Sequence, residues 1–263
     1  MVKFVTDVFG EEEANVVSFG VGCPGSLRTA SQLVEPFDVS EGRNLLENVR
    51  ICDAGDVDLD EVEPKVRRIL SAKKLPLILA SEHTATLHAM KAMPAGTKLV
   101  VFDAHADLKD EYEGSKLSHA CWLRRWCEIG GCKDIAIIGV RSCDEDEYNF
   151  MKDNSVLYFT VDNIRNGVED VKQRLRKFIG DSAGGSPVYV SMDMDVFDPS
   201  IAPAVKYPEP NGILYRDFIA LVEALKGAKL VGLDCVEIRP LGENKVTEFL
   251  AVKILFKTLG KFI

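Results

Sequence analysis

Residues 100–125 read VVFDAHADLKDEYEGSKLSHACWLRR. An apolar run through Phe102 leads straight into Asp103, His105 and Asp107, spaced by two. A core strand has no use for three polar side chains at its end, so the stretch predicts a buried strand that stops where chemistry begins. Working outward, runs of the same apolar, β-branched kind recur at 15–21, 48–54, 75–80, 134–140, 156–160, 187–195 and 229–238, with 98–104 covering the first one. Segments of helical period fill 60–72, 84–93, 118–128, 144–152, 163–179, 215–225 and 246–260. The last carries Phe249, Leu250, Ile254 and Leu255 on a recurring stripe, expected against the sheet. Such alternation is the pattern of βαβ units around a parallel sheet covered on both faces. The expected fold class is therefore α/β, a three-layer αβα arrangement with a central parallel sheet of about eight strands. No linker, repeat or low-complexity tract intervenes, so residues 1–263 are expected to form one domain.

Composition limits the partners. At 46% hydrophobic and 28% charged, 263 residues suffice for a large core. A net charge of -9 has the wrong sign for nucleic acid or an acidic membrane surface and favours small cationic or neutral ligands. The opening MVKFVTDVFGEEEANVV has acids where a signal peptide needs an apolar run, and no stretch of about 20 apolar residues is present to span a bilayer. The cytoplasm is the expected location. Cys23, Cys52, Cys121, Cys127, Cys132, Cys143 and Cys235 are odd in number and form no CxxC pair, which fits free, packing thiols in a reduced compartment.

Ligands bind beyond the carboxyl ends of strands in open parallel sheets, and four such ends are unusual here. Ser81, Glu82 and His83 follow one strand, DAHAD ends the next, SMDMD a later one and DCVEIRP the last. Alternation along a strand would point Asp103, His105 and Asp107 to one side, and likewise Asp193 and Asp195. Converging carboxylates are too costly in a partly dry site unless cations or protons neutralise them. Asp103, Asp107, Asp193 and Asp195 carry minus four, which two divalent ions balance. Imidazole mixed with carboxylate suits Mn²⁺, Zn²⁺, Fe²⁺ or Ni²⁺ better than Ca²⁺ or Mg²⁺. The competing explanation, that these are turn formers and helix caps, explains one DxHxD but not a second DxD and a histidine at two further strand ends. Two metals roughly 3.5–4 Å apart can turn water into hydroxide at neutral pH, so the implied reaction is hydrolysis.

These residues resemble those of the ureohydrolases, the arginase and agmatinase group of dimanganese enzymes. SMDMDVFDPSIAPAVKYPEPNG carries the S-x-D-x-D core, Pro199, Pro203 before the small Ala204, and Gly212, while DAHAD and the histidine of SEHT supply the other metal motifs. The resemblance runs from FGVG to the last helix and implies two Mn²⁺ ions, other divalent transition metals being alternatives. It implies His83, Asp103, Asp107 and Asp193 around one ion, and Asp103, His105, Asp193 and Asp195 around the other, with Asp103 and Asp193 bridging. It further implies that Glu237 holds a substrate guanidinium and that His119 shuttles protons at the mouth; beside these, Asp107 is expected to accept the hydroxide's proton and pass it to the departing amine. A carboxylate suits a guanidinium because the two can pair through charge-assisted hydrogen bonds.

The loop after DAHAD is expected to line the outer pocket, where Asp110, Glu111 and Glu113 outnumber Lys109. That balance suits a substrate ending in an amine, and DEYEG, SHAC and PEP look like agmatinases. Agmatine, cleaved to putrescine and urea, is therefore the first expectation, ahead of guanidinobutyrate or arginine. A catalytically silent metal-binding relative and a hydrolase of another C–N bond are the alternatives. Homo-oligomers, trimers or hexamers, are expected by analogy alone. Departures from the family pattern fall outside the ligands: Ala80 and Ser81 for a Gly pair, a short segment between Gly22 and Ser31, Ala204, Tyr207 and Asn211 around PEP, and the added Arg239. His88 is expected to be structural, Asp198 and Asp234 to stabilise turns or orient ligands, and Trp122, Arg124, Arg125 and Trp126 to form a packing or subunit face.

Overall fold

The computed structural model describes residues 2–5, 9–22, 24–180 and 185–263. Its main sheet contains β1 (Val16–Val21), β4 (Ile51–Val57), β5 (Leu75–Ala80), β6 (Lys98–Phe102), β7 (Ile135–Val140), β8 (Leu157–Thr160), β9 (Pro187–Asp193) and β10 (Lys229–Val236). Every pairing in it is parallel, in the order β4-β1-β5-β10-β9-β6-β7-β8. β1, β5 and β7 are buried at every position, as continuous apolar runs require in a sheet covered on both sides.

Among the described residues, eight α-helices cover it. α2 (Val62–Ser71), α3 (Thr84–Met90), α4 (Trp122–Gly130) and α5 (Glu145–Asp153) close one face, packing through Val66, Leu87, Trp122 and Met151. The other face is closed by α1 (Gly25–Ser31), α6 (Val161–Ile179), α7 (Tyr215–Ala224) and α8 (Val246–Phe262), through Leu27, Leu175, Phe218 and Leu255. Within the stripe expected on α8, Ile254 and Leu255 are buried and Leu250 packs partly buried against the core, but Phe249 is exposed. All eight expected strands are present. Two features were not expected: α1, and a short antiparallel pair, β2 (Phe37–Asp38) with β3 (Arg43–Asn44). Cys23 lies outside the described residues, and the other six cysteines are free. No helix among the described residues is long and apolar enough to cross a membrane.

The topology positions the site. After β5 the chain steps over two places to β6, and β9 and β10 later fill the gap. The carboxyl ends of β5, β10, β9 and β6 are thus four neighbours at the point where the winding changes direction, the ligand position of such sheets.

Candidate metal centre

His83 enters the site from the turn between β5 and α3, fully buried. Its Nε2 lies 2.9 Å from Ser191 Oγ on β9. The Ser191 hydroxyl is committed to Asp234 Oδ1 at 2.7 Å, so Ser191 accepts from Nε2–H and leaves Nδ1 as a lone pair. That lone pair has no hydrogen-bond partner among the described residues, yet three carboxylate oxygens surround it: Asp103 Oδ2 at 3.2 Å, Asp107 Oδ2 at 3.3 Å and Asp193 Oδ2 at 3.3 Å. Four acceptors facing one another repel unless a cation sits among them, so this donor set fits a metal ion. Without one, the three carboxylates hold a proton on His83 instead, outweighing burial and pushing the imidazole well above its ordinary pKa.

A second cluster adjoins the first. His105 Nδ1 lies 2.9 Å from Asp195 Oδ2 and 3.6 Å from Asp103 Oδ1. Asp103 belongs to both clusters, one with His83 and Asp107, the other with His105 and Asp195. Burial opposes a charged His105, but Asp103 and Asp195 raise its pKa to about 12. Burial also pushes up Asp193 and Asp195, with their neighbouring carboxylates adding to it. Asp193 joins the clusters through its two oxygens, Oδ2 toward His83 and Oδ1 accepting the Asp195 N–H at 2.9 Å.

Convergence does not come from strand alternation. β6 ends at Phe102 and β9 at Asp193, so His105, Asp107 and Asp195 lie beyond the strands. Asp103 Oδ1 accepts the His105 N–H at 2.6 Å, and Asp195 sits in a 3₁₀ turn, Met194–Val196. Local side-chain-to-backbone bonds of this kind compete with the sheet ladder and turn the chain inward. Asp107 then takes a left-handed φ of 53°.

Glu237 follows β10 with φ 62° and is 5% exposed. Its Oε1 accepts the His83 N–H at 2.9 Å, while Oε2 is buried with no hydrogen-bond partner among the described residues. Burial raises its pKa. Glu237 lines a cavity of about 230 Å³ together with His83, His105, Asp107, Asp193 and Asp195, and the same cavity meets His119. The His119 ring stacks on Tyr207 with centroids 5.8 Å apart, and its Nδ1 lies 3.8 Å from Glu82.

The acidic loop departs from expectation. Asp110 turns away to Arg125 at 2.6 Å, and neither it nor Glu111 nor Glu113 lines the cavity. Lys109 and Tyr112 line it in their place, with Asp144 and Glu147 from the start of α5. Trp122 proves more than a packing residue: Nε1–H donates to Asp107 Oδ2 at 2.8 Å, and its ring lies 4.4 Å from that of His83. Asp234 orients His83 through Ser191, held by Thr86 and Tyr189 at 2.8 and 2.7 Å. Asp198 ties a turn, accepting from Ser200 and Gly212. His88 is half-buried near Lys91, Glu63 and Asp60, outside the cavity lining.

The model of the Arginase family matches residues 17–260. An agmatinase of Pyrococcus horikoshii is 33% identical over 252 residues, 90% of this chain and 83% of its own. A guanidinobutyrase of Pseudomonas aeruginosa is 29% identical over 255 residues, covering 87% of this chain and 79% of its own. Among solved structures, the agmatine ureohydrolase of Thermoplasma volcanium superposes with a TM-score of 0.89 at 33% identity, over 100% of this chain and 94% of that one. With the match running from β1 to α8 and the three-layer fold shared, the chain belongs to the arginase family and is a ureohydrolase most like the agmatinases.

Proposed function

We propose that the protein hydrolyses a small ω-guanidino compound to urea and a primary amine at a pair of Mn²⁺ ions. The observation that carries this reading is Glu237 Oε2, a buried carboxylate oxygen with no hydrogen-bond partner among the described residues, on the wall of a cavity shared with His83, His105, Asp107, Asp193 and Asp195. His83, Asp103, Asp107 and Asp193 would hold one ion, and Asp103, His105, Asp193 and Asp195 the other. When bound, the ions supply a hydroxide-like nucleophile from water at neutral pH and Lewis acidity toward the guanidinium carbon.

The chain's own residues do the rest. Glu237 pairs with two guanidinium N–H groups and fixes the carbon's position. Asp107, whose Oδ2 is oriented by Trp122, takes the proton of the attacking water and passes it to the leaving nitrogen. His119 exchanges that proton with solvent. Water adds, one C–N bond breaks, and urea leaves with a protonated amine. The reading treats residues 1–263 as one catalytic unit, working in the cytoplasm as a homo-oligomer.

Agmatine is the first substrate to try, given its agmatinase relatives. Relatives between 29% and 33% identical carry names for more than one guanidino substrate, so identity at this level leaves the substrate's tail open. The test is urea release by Mn²⁺-loaded protein from agmatine, guanidinobutyrate and arginine, with Glu237→Gln alongside. Urea from at least one substrate is expected, with kcat/KM lowered about 100-fold or more in the variant. Metal content should be unchanged, and an active Glu237→Gln enzyme would exclude Glu237 as the guanidinium anchor.

A further inference from the structure

The outer half of the cavity holds four charged side chains, two lysines and two acids. Three of them satisfy one another. Lys109 pairs with Asp144 and with Glu147 Oε2 at 3.2 Å, and Glu147 also accepts the N–H groups of Leu108 and Asp144. Lys206 is different. Among the described residues its ammonium forms no ion pair, lying 3.4 Å from His119 Nε2 and 4.9 Å from the centroid of the Tyr207 ring. The nearby acid, Glu82, faces the other nitrogen of the same imidazole.

The backbone places this cation with respect to the guanidinium anchor. Val205 bridges Ile238 in antiparallel fashion, and the Arg239 N–H donates to the Ala204 carbonyl at 2.8 Å. Lys206 therefore lies opposite Glu237, and its stem runs from that level toward His119 and Tyr207. A substrate anchored by its guanidinium at Glu237 would present its far end to the Lys206 ammonium. A carboxylate there gains a charge-assisted hydrogen bond, and an ammonium meets its own charge in a confined space. The acids that favoured an amine tail, Asp110, Glu111 and Glu113, are outside the cavity.

We infer that Lys206 is a specificity-determining residue, selecting an ω-guanidino acid over a substrate that ends in an ammonium such as agmatine. The inference rests on the guanidine-hydrolase reading above. Two measurements keep the two apart: urea release, and calorimetric binding of 4-guanidinobutyrate and agmatine to the Mn²⁺-loaded protein. Wild type should favour guanidinobutyrate by about 10-fold in kcat/KM and in affinity, the scale of one partly screened charge pair set against one charge clash. Lys206→Met should level the preference and Lys206→Glu should invert it. An agmatine preference in the wild type, or a ratio unmoved in both variants, overturns the assignment of Lys206. Failure of every guanidine to give urea removes the hydrolase reading, and the binding ratios still decide the role of Lys206 in either direction.

Discussion

Asp107 and Glu237 both hold left-handed backbone, a conformation that costs non-glycine residues about 1–3 kcal/mol each. A buried partner bonds each side chain, the Trp122 indole donating to Asp107 and the His83 amide to Glu237, and the Asp107 carbonyl also accepts the Leu123 N–H at 3.2 Å. The Trp122 bond reaches the same Asp107 oxygen that faces His83 Nδ1, so it sets the direction of a candidate metal donor. Replacing Trp122 by Phe keeps an aromatic ring beside His83 and deletes the N–H. Mn²⁺ affinity should fall about 10- to 100-fold, as when other outer partners of metal ligands are lost, with helix content unchanged. Metal titration of the chelator-stripped variant, with circular dichroism, checks this, and wild-type affinity would reduce Trp122 to packing. The carboxylates and histidines of this site were legible in sequence because acids ending apolar runs are an expensive pattern. Trp122 was not, since an indole on an amphipathic helix reads as core whichever way its N–H points. Lys206 escaped for a similar reason: its meaning depends on which acids the fold sends elsewhere.

At the scale of elements, legibility follows how local the stabilising contacts are. The eight sheet strands carry their own signal in buried apolar runs, whereas α1 is seven residues, GSLRTAS, that bury Arg28. Only the fold explains that burial, because Arg28 Nε meets Asp53 of β4 at 2.8 Å. α6 shows the opposite case, a helix whose start is written locally. Thr160 Oγ1 accepts the Asn163 N–H at 3.2 Å while Asn163 Oδ1 accepts the Thr160 N–H at 3.0 Å, a reciprocal cap. Thr160→Ala should cost about 1 kcal/mol by urea denaturation. Because β8 is the edge strand farthest from β5, urea release should be unaffected. A loss below about 0.3 kcal/mol would mean that α6 is held by packing against α7 rather than by its cap.

Across the whole molecule, an excess of acids must be balanced where distant segments meet, and Lys257 of α8 does this for the β2–β3 hairpin. Lys257 is 6% exposed, and its ammonium lies 2.5 Å from Asp38 Oδ2 and 2.9 Å from Glu41 Oε1, while Lys261 links Glu41 onward to Glu223 of α7. The hydrogen bond from Lys257 is the main reason that Glu41 is pushed down to about 2 from its ordinary 4.5, and it lowers Asp38 as well. A carboxylate depressed in the folded state stabilises fully above its unfolded pKa and loses that contribution as pH falls through the folded one. For Glu41 the window runs from 4.5 down to about 2. Lys257→Met should therefore lose about 2 kcal/mol at pH 7, the scale of hydrogen bonds to charged groups. That deficit should shrink steadily below pH 4.5, because protonation of Glu41 in the wild type removes what the substitution has already removed. Denaturant titrations of both proteins at pH 7, 5 and 3 measure the difference directly, and a deficit that stays constant with pH would show that Lys257 acts through its buried stem rather than through its charge.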